Sequence, residues 1–147
     1  MCVFSFLVRK AFIIITHNYY IIQGVFLYFI GIDISKYKHD CFITTETGEV
    51  IVENFSFQNT NEGLNQLLDL LKSLDCSKQF RIGFEATGHY CMNLKLFPEK
   101  NNYSFMKFNP NMVKQFIKSQ TLRKTKTDKK DATWITKYLI SVDYKPL

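Results

Sequence analysis

Four acidic residues of this chain have a spacing that suits metal-ion chemistry. Asp33 and Glu85 each follow a short apolar run, and Asp128 and Asp131 lie three residues apart, so the latter two share a face if they are helical. Carboxylates that converge repel one another, and hard divalent cations such as Mg²⁺ relieve that repulsion through oxygen ligands. Two such ions about 3.5–4 Å apart activate a nucleophile and stabilise the leaving oxygen in phosphodiester cleavage. We predict that these four residues are catalytic and bind two Mg²⁺ ions, for which Mn²⁺ can substitute.

Apolar periodicity predicts the elements that position these acids. Three opening strands joined by tight turns are expected to be antiparallel, and later strands that alternate with helices are expected to be parallel. The order β-β-β-α-β-α-β-α-α predicts an α/β fold with a mixed five-stranded sheet flanked by helices. A lone aspartate at a strand end fits the cap of a turn equally well, but Asp33 and Glu85 both end strands where open α/β sheets place their sites. The predicted strands are 28–35, 39–45, 49–57, 80–84 and 103–108, and the last helix is 128–141.

Two helices carry more detailed predictions. Asn59 followed by Glu62 resembles a capping box, in which the first side chain caps the helix and the second reaches back to it. An N-cap is also predicted at Asn109, because Pro110 follows it at the first helical position. The residues predicted to face inward are Leu64, Leu67, Leu68, Leu71 and Leu74 in the first helix, and Trp134, Ile135, Tyr138 and Leu139 in the last.

The positive charge of the chain is concentrated in one region. The formal net charge is +6, and residues 107–130 contain eight Lys or Arg and a single acid, Asp128. This concentration predicts a polyanionic partner, most simply nucleic acid, although a solvated basic helix face has the same composition. The segment 123–126 leads directly into the predicted metal-binding acids and is the best candidate for phosphate contacts. The predicted nucleic-acid contacts are Lys36, Lys107, Lys114, Lys118, Arg123, Lys124, Lys126, Lys129 and Lys130.

The cysteines and the first residues bear on location and domain limits. The four cysteines form no CxxC pair and lie far apart, so the cytoplasm is the expected location.

Near the start of the chain, a basic pair followed by an apolar run resembles a signal peptide, but no small-residue cleavage site follows. Polar residues within the run argue against a membrane span. We expect residues 1–27 to be an upstream-translated extension, residues 28–142 to be the domain, and residues 143–147 to begin a following segment.

Three motifs, in order, resemble one protein family. They are Gly31-Ile32-Asp33-Ile34-Ser35-Lys36, Glu85-Ala86-Thr87-Gly88-x-Tyr90, and Lys126-Thr127-Asp128-x-x-Asp131-Ala132. Over residues 28–142 the chain resembles the insertion-sequence transposases with a DEDD, RuvC-like domain, the IS-one-ten group that is akin to Piv-type DNA invertases. The resemblance implies a ribonuclease H-like fold, DNA recombination as the activity, and Mg²⁺ bound by the four acids.

The resemblance also bears on partners and on completeness. It implies DNA as a partner, homo-oligomers in the full-length family and, in some members, a guide RNA from their own element. Family members carry a further C-terminal domain with a nucleophilic serine, so we expect recombination to need more than this chain.

Two alternative functions stay open. One is a non-catalytic nucleic-acid-binding remnant of a broken transposase gene; the other is an actin-like ATPase or sugar kinase, although the second glycine-rich phosphate loop of that class is not visible in the sequence.

Overall fold

The chain forms one mixed sheet with helices on both of its faces. The computed structural model describes residues 27–74, 79–86, 88–91, 94, 97, 101, 103–120 and 131–146. The strands are β1 (Leu27–Ile34), β2 (Lys38–Thr45), β3 (Val50–Gln58), β4 (Gln79–Glu85) and β5 (Phe105–Phe108). The helices are α1 (Asn61–Ser73), α2 (Pro110–Gln120) and α3 (Asp131–Ser141), with a 3₁₀ turn at Gly88–Cys91. None of the described helices is long and apolar enough to cross a membrane.

β1 lies at the centre of the sheet. The strand order is β3-β2-β1-β4-β5, with β1 antiparallel to β2 and β2 antiparallel to β3, whereas β4 is parallel to β1 and β5 is parallel to β4. This topology confirms the predicted mixed sheet. Because both faces of β1 are covered, every residue from 28 to 32 is buried. Burial on both sides explains why this strand has a continuous apolar run rather than alternating residues.

Successive side chains of β1 lie on opposite faces of the sheet. Tyr28, Ile30 and Ile32 belong to the larger core cluster, which includes the buried leucines of α1. Phe29 belongs to a second cluster, which includes buried residues of α2 and α3. By the same alternation Gly31 and Asp33 lie on the α3 face. The acid of β1 is therefore on the opposite side of the sheet from α1.

Two glycines in register allow α3 to approach the sheet closely. Gly31 of β1 pairs with Gly83 of β4. A Cβ atom at Gly31 would lie 2.1 Å from Thr136 Oγ1 and 2.7 Å from Ala132 O, and a Cβ atom at Gly83 would lie 2.6 Å from the Phe108 ring. All three distances are well below van der Waals contact. Glycine at position 31 therefore permits the close contact of the α3 backbone with β1, whereas glycine at position 83 makes room for the Phe108 ring.

The inward face of α3 differs in part from the prediction. Its buried residues are Ala132, Ile135, Thr136 and Leu139, so the predictions for Ile135 and Leu139 are confirmed. Tyr138 is half-buried but packs against the core cluster on this face, as predicted, whereas Trp134 is half-buried and does not belong to that cluster. Thr136 takes the central place because its hydroxyl is satisfied inside the core: Oγ1 lies 2.8 Å from Ala132 O and 3.3 Å from Phe42 O.

The capping box predicted for α1 is wrong. The N-cap is Thr60, whose Oγ1 accepts a hydrogen bond of 3.1 Å from the Gly63 N–H. A threonine one residue later competes with Asn59 for this role because both types cap helices well. The Asn59 side chain instead donates hydrogen bonds to two loops. The other predicted N-cap is confirmed, since Asn109 Oδ1 accepts a hydrogen bond of 2.9 Å from the Asn111 N–H.

The residues after α3 return to the amino end of the parallel strands. The Tyr144 hydroxyl donates a hydrogen bond of 2.8 Å to Ser104 O, just before β5. The Tyr144 ring centroid lies 5.5 Å from the Arg81 guanidinium carbon. The predicted start of a following segment at residues 143–147 stays a prediction, as does the role of the first 26 residues, which lie outside the described part of the chain.

His39 of β2 is fully buried, and in the described part of the chain neither of its ring nitrogens has a hydrogen-bond partner. Its ring packs edge-on against Phe57, with 5.2 Å between the ring centroids. Burial lowers the pKa of His39, and the nearby Asn59 side chain opposes that shift only in part. The fold therefore favours the neutral imidazole.

The His39→Leu protein is expected to lose part of the acid sensitivity of the wild type. The folded-state pKa of His39 lies below its unfolded value of about 6.5, so the neutral ring stabilises the fold above that pH. This stability is lost as the pH falls through the folded-state pKa. Urea unfolding between about pH 7.5 and about pH 5 measures the effect, and the advantage of His39→Leu should grow as the pH falls. His89→Leu, at an exposed histidine, is the control and should follow the wild type. Parallel curves for wild type and His39→Leu would contradict a buried neutral ring.

Candidate active site

Asp33 and Glu85 end two neighbouring strands. β1 and β4 are parallel, and their register pairs Ile32 with Phe84, so Asp33 and Glu85 are the next residues along the two strands. Ile32 and Phe84 are both in the core cluster on the α1 side. The alternation of side chains therefore places both acids on the α3 face, at the carboxyl edge of the sheet.

Asp131 reaches the same region from α3. It is the first residue of α3, and the next turn of the helix contacts β1 at Gly31. Gly31 lies two residues before Asp33, so the amino end of α3 lies over the carboxyl half of β1. A carboxylate in a first helical turn also interacts favourably with the unpaired N–H groups of the helix end. Three acids from three elements thus approach one face of the sheet.

The three carboxylates interact electrostatically. Burial raises the pKa of Asp33, and the charges of Asp131 and Asp40 raise it further, while Lys38 lowers it. Burial also raises the pKa of Glu85, with additional contributions from Asp33 and Asp131. A carboxylate whose pKa is raised by neighbouring carboxylates has an increased tendency to bind a proton or a cation. Asp33, Glu85 and Asp131 therefore form one negatively charged site.

Asp40 is an acid at this site that the sequence analysis missed. It pairs with Asp33 across β1 and β2, so the two residues share a face. The Ser56 hydroxyl donates a hydrogen bond to Asp40 Oδ1, and the Lys38 ammonium lies 3.5 Å from Asp40 Oδ2. The tight turn between the two strands was the signal available in the sequence, because a short turn sets the register and thereby the residue opposite Asp33.

Predicted nucleic-acid contacts surround the acids in part. Lys36 is exposed in the turn after β1, and Lys107 is exposed one residue before the end of β5. Lys114, on an exposed position of α2, is close enough to Glu85 to lower the pKa of that carboxyl. Lys118 is exposed one turn further along α2. Lys107 lines a groove together with Ala86, Phe108, Asn109 and Pro110. It pairs with Phe84 and therefore lies on the α1 face of the sheet, opposite the acids.

The segment between α2 and α3 lies outside the described residues. It contains the predicted ligand Asp128 and five predicted basic contacts, so the roles proposed for them stay predictions. The five are Arg123, Lys124, Lys126, Lys129 and Lys130.

The chemistry of the donor set fits a hard divalent cation. Within the described ranges, no three His, Cys, Asp or Glu side chains stand close enough together to hold one metal ion. The carboxylates of Asp33, Glu85 and Asp131 nonetheless offer oxygen ligands only, and the mutual repulsion that raises the pKa of Asp33 and Glu85 is what a bound cation relieves. The fourth predicted ligand, Asp128, precedes α3 by three residues.

A family model for transposases of the DEDD type, the IS110 group, matches residues 30–147. The match covers most of the chain and includes β1, β4 and α3, which carry the acids. The chain belongs to the DEDD transposases. The family resemblance read from the three motifs is thereby confirmed, and the match favours a transposase over an actin-like ATPase or a sugar kinase.

The fold of this transposase domain is RuvC-like. The solved structure of T. thermophilus RuvC in complex with a Holliday junction substrate is similar to it, with a TM-score of 0.54 and 10% sequence identity, over 82% of this chain and 99% of that chain. At this identity the likeness concerns the fold alone, and it confirms the predicted ribonuclease H-like sheet. No curated protein sequence matches the chain.

Proposed function

We propose that this transposase domain binds DNA and supports phosphodiester cleavage with Mg²⁺ held by Asp33, Glu85, Asp128 and Asp131. The observation that carries the proposal is the approach of acids from β1, β4 and α3 to one face of the sheet, in a domain of the transposase family. DNA as the partner is further supported by the fold neighbour, RuvC, which was solved with a Holliday junction substrate.

The residues of the chain would bind and orient the phosphate to be cut. Asp33 and Glu85 stand on central strands, and Asp131 stands on a helix whose position is determined by its contact with Gly31. Side chains on rigid elements hold a catalytic geometry more accurately than side chains on loops. Bound Mg²⁺ supplies stabilisation of negative charge and a lowered pKa for an attacking hydroxyl. Lys114 and Lys118, one turn apart on α2, would contact the flanking phosphates and so fix the register of the strand.

Strand transfer during insertion-sequence transposition is the reaction proposed for the family. The purified chain is expected to nick supercoiled plasmid slowly, with water as the nucleophile and in a Mg²⁺-dependent manner. Cytoplasmic location, a homo-oligomer and a guide RNA stay predictions from sequence.

DNA affinity should weaken steeply with salt and depend on the lysines beside the acids. Each phosphate contact contributes about 0.9 to the slope of log affinity against log salt for duplex DNA. Replacing Lys114 and Lys118 together with alanine is therefore expected to reduce that slope by about 1.8. Fluorescence anisotropy with a labelled duplex at several salt concentrations measures the slope.

A charge-matched variant controls for the loss of net charge. Lys72 lies in the last turn of α1, and Lys145 follows α3 near the amino end of the parallel strands, so neither residue is beside the acids. Their double alanine variant should keep the wild-type slope. Binding that ignores salt would refute the DNA proposal. Salt-dependent binding without Mg²⁺-dependent nicking would instead favour the non-catalytic remnant.

A further inference from the structure

Two exposed tyrosines follow the two strands that carry Asp33 and Glu85. Tyr37 lies in the turn that follows β1 and is 73% exposed, and Tyr90 lies in the 3₁₀ turn that follows β4 and is 42% exposed. The first turn begins two residues after Asp33, and the second begins three residues after Glu85. A single exposed aromatic side chain is common on a protein surface, so these two are informative through their shared position after the strands that carry the acids.

Both turns are held by one residue, Asn59. Its backbone N–H donates a hydrogen bond of 2.9 Å to Tyr37 O. Its side-chain amide donates to Lys36 O at 3.4 Å and to Tyr90 O at 3.1 Å. Asn59 thus joins two loops that are distant in sequence and fixes the backbone beneath both aromatic side chains. Aromatic residues on a fixed backbone lose little entropy when they bind a partner.

The charge beside these rings favours an anionic partner with flat groups. The Lys36 ammonium lies 5.0 Å from the centroid of the Tyr37 ring. Lys36 and Lys38 are exposed on either side of Tyr37. Aromatic side chains interleaved with cations are typical of surfaces that stack unpaired bases and contact the backbone phosphates between them.

We propose that Tyr37 and Tyr90 form a stacking platform for unpaired bases of a DNA strand next to the acidic site. The inference rests on the proposed function and adds to it that the strand is recognised locally single-stranded rather than as duplex. A duplex hides the faces of its bases, so only an opened or gapped strand can occupy both tyrosines. Placed beside Asp33 and Glu85, the platform would hold the phosphate next to the unpaired bases at the site of cleavage.

The test compares the affinity of the full chain for a single strand of about 12 nucleotides with its affinity for a duplex of the same sequence. The measurements are made in EDTA so that no DNA is cut. The wild type is expected to bind the single strand more tightly. Tyr37→Ala and Tyr90→Ala should each weaken single-strand binding by about 5- to 150-fold, because stacking contributes about 1–3 kcal/mol per base. The affinity for the duplex should change by less than about twofold. The slopes of log affinity against log salt should stay the same for both DNA forms, since no phosphate contact is removed.

Conservative variants separate stacking from folding. Tyr37→Phe and Tyr90→Phe keep the ring and should bind single strands within about twofold of the wild type. Asn59→Asp removes both side-chain N–H donors, and it should lower the preference for single strands over duplex even at temperatures where the protein is fully folded. A role confined to stability would lower the melting temperature and leave that preference unchanged.

Four outcomes would overturn the inference. Equal affinity of the alanine variants and the wild type for single strands would exclude stacking. A change in oligomeric state of Tyr37→Ala in sedimentation would assign the surface to a second copy of the chain. An RNA strand bound more than about tenfold more tightly than the DNA strand would assign it to RNA. Salt-dependent duplex binding without a single-strand preference refutes this inference alone, whereas the absence of any salt-dependent DNA binding refutes the proposed function.

Discussion

The Gly31→Ala protein is expected to be less stable than the wild type by about 3 kcal/mol or more, at the upper end of the usual cost of overpacking. The new methyl group would lie 2.6 Å from Thr136 N and 2.7 Å from Ala132 O. Both are backbone atoms of α3, so no side-chain rotation relieves the contact. The helix would have to move away from β1 and would expose Ile135 and Leu139. Urea unfolding followed by circular dichroism measures the loss.

The neighbouring strand offers a matched control. Gly83→Ala makes the same change one strand away, but its nearest atoms belong to the side chains of Phe108 and Leu139. Side chains can rotate, so Gly83→Ala should cost less than Gly31→Ala. Adding Thr136→Ala to Gly31→Ala removes only the hydroxyl contact, so it should restore only part of the stability. Equal stability of Gly31→Ala and the wild type would mean that α3 does not lie on β1 as described.

The strands and their order could be predicted because each carries a local signal. The continuous apolar run of β1 follows from its central position, and the tight turn around Gly48, which has a φ of +87°, follows from the Glu46-Thr47-Gly48 sequence. Tertiary contacts carry no such signal. Gly31 is visible as a glycine in a strand, but only the packed helix shows that a Cβ atom there would meet Thr136.

The site was predictable to the extent that it depends on strand ends. Asp33 and Glu85 could be placed from the apolar runs before them, and Asp131 from the helix predicted over residues 128–141. Asp40 required the register of β1 and β2, and Asn59 required the knowledge that Thr60 takes the helix cap. Local rules assign Asn59 to the helix, whereas its hydrogen bonds to distant loops depend on the assembled sheet.

In the absence of metal, the charge of the acidic site is expected to make the stability of the protein depend on pH. Without divalent cations, the carboxylates of the site should make the wild type less stable as the pH rises from about 4, where they ionise in the unfolded chain, through their raised folded-state pKa values. The pKa values of Asp33 and Glu85 are raised in the folded protein, chiefly by burial and then by neighbouring carboxylates. The folded protein therefore holds protons that the unfolded chain releases, and this stability is present at low pH and is lost as the pH rises through the raised values. Asp33→Asn cannot ionise, so its stability should fall less over this range.

Mg²⁺ should reverse the order of stability of the wild type and Asp33→Asn. A cation that binds only the folded protein stabilises it by about 2.7 kcal/mol at 100 times its dissociation constant. Thermal unfolding of the wild type at about pH 8 should respond in this way, whereas Asp33→Asn, which is the more stable protein in EDTA, should gain much less because it lacks one anionic ligand. Asp69→Asn, at an exposed residue of α1, makes the same chemical change away from the site and should respond like the wild type. An equal gain from Mg²⁺ in the wild type and in Asp33→Asn would show that Asp33 is not a metal ligand, and the four-carboxylate site would have to be abandoned.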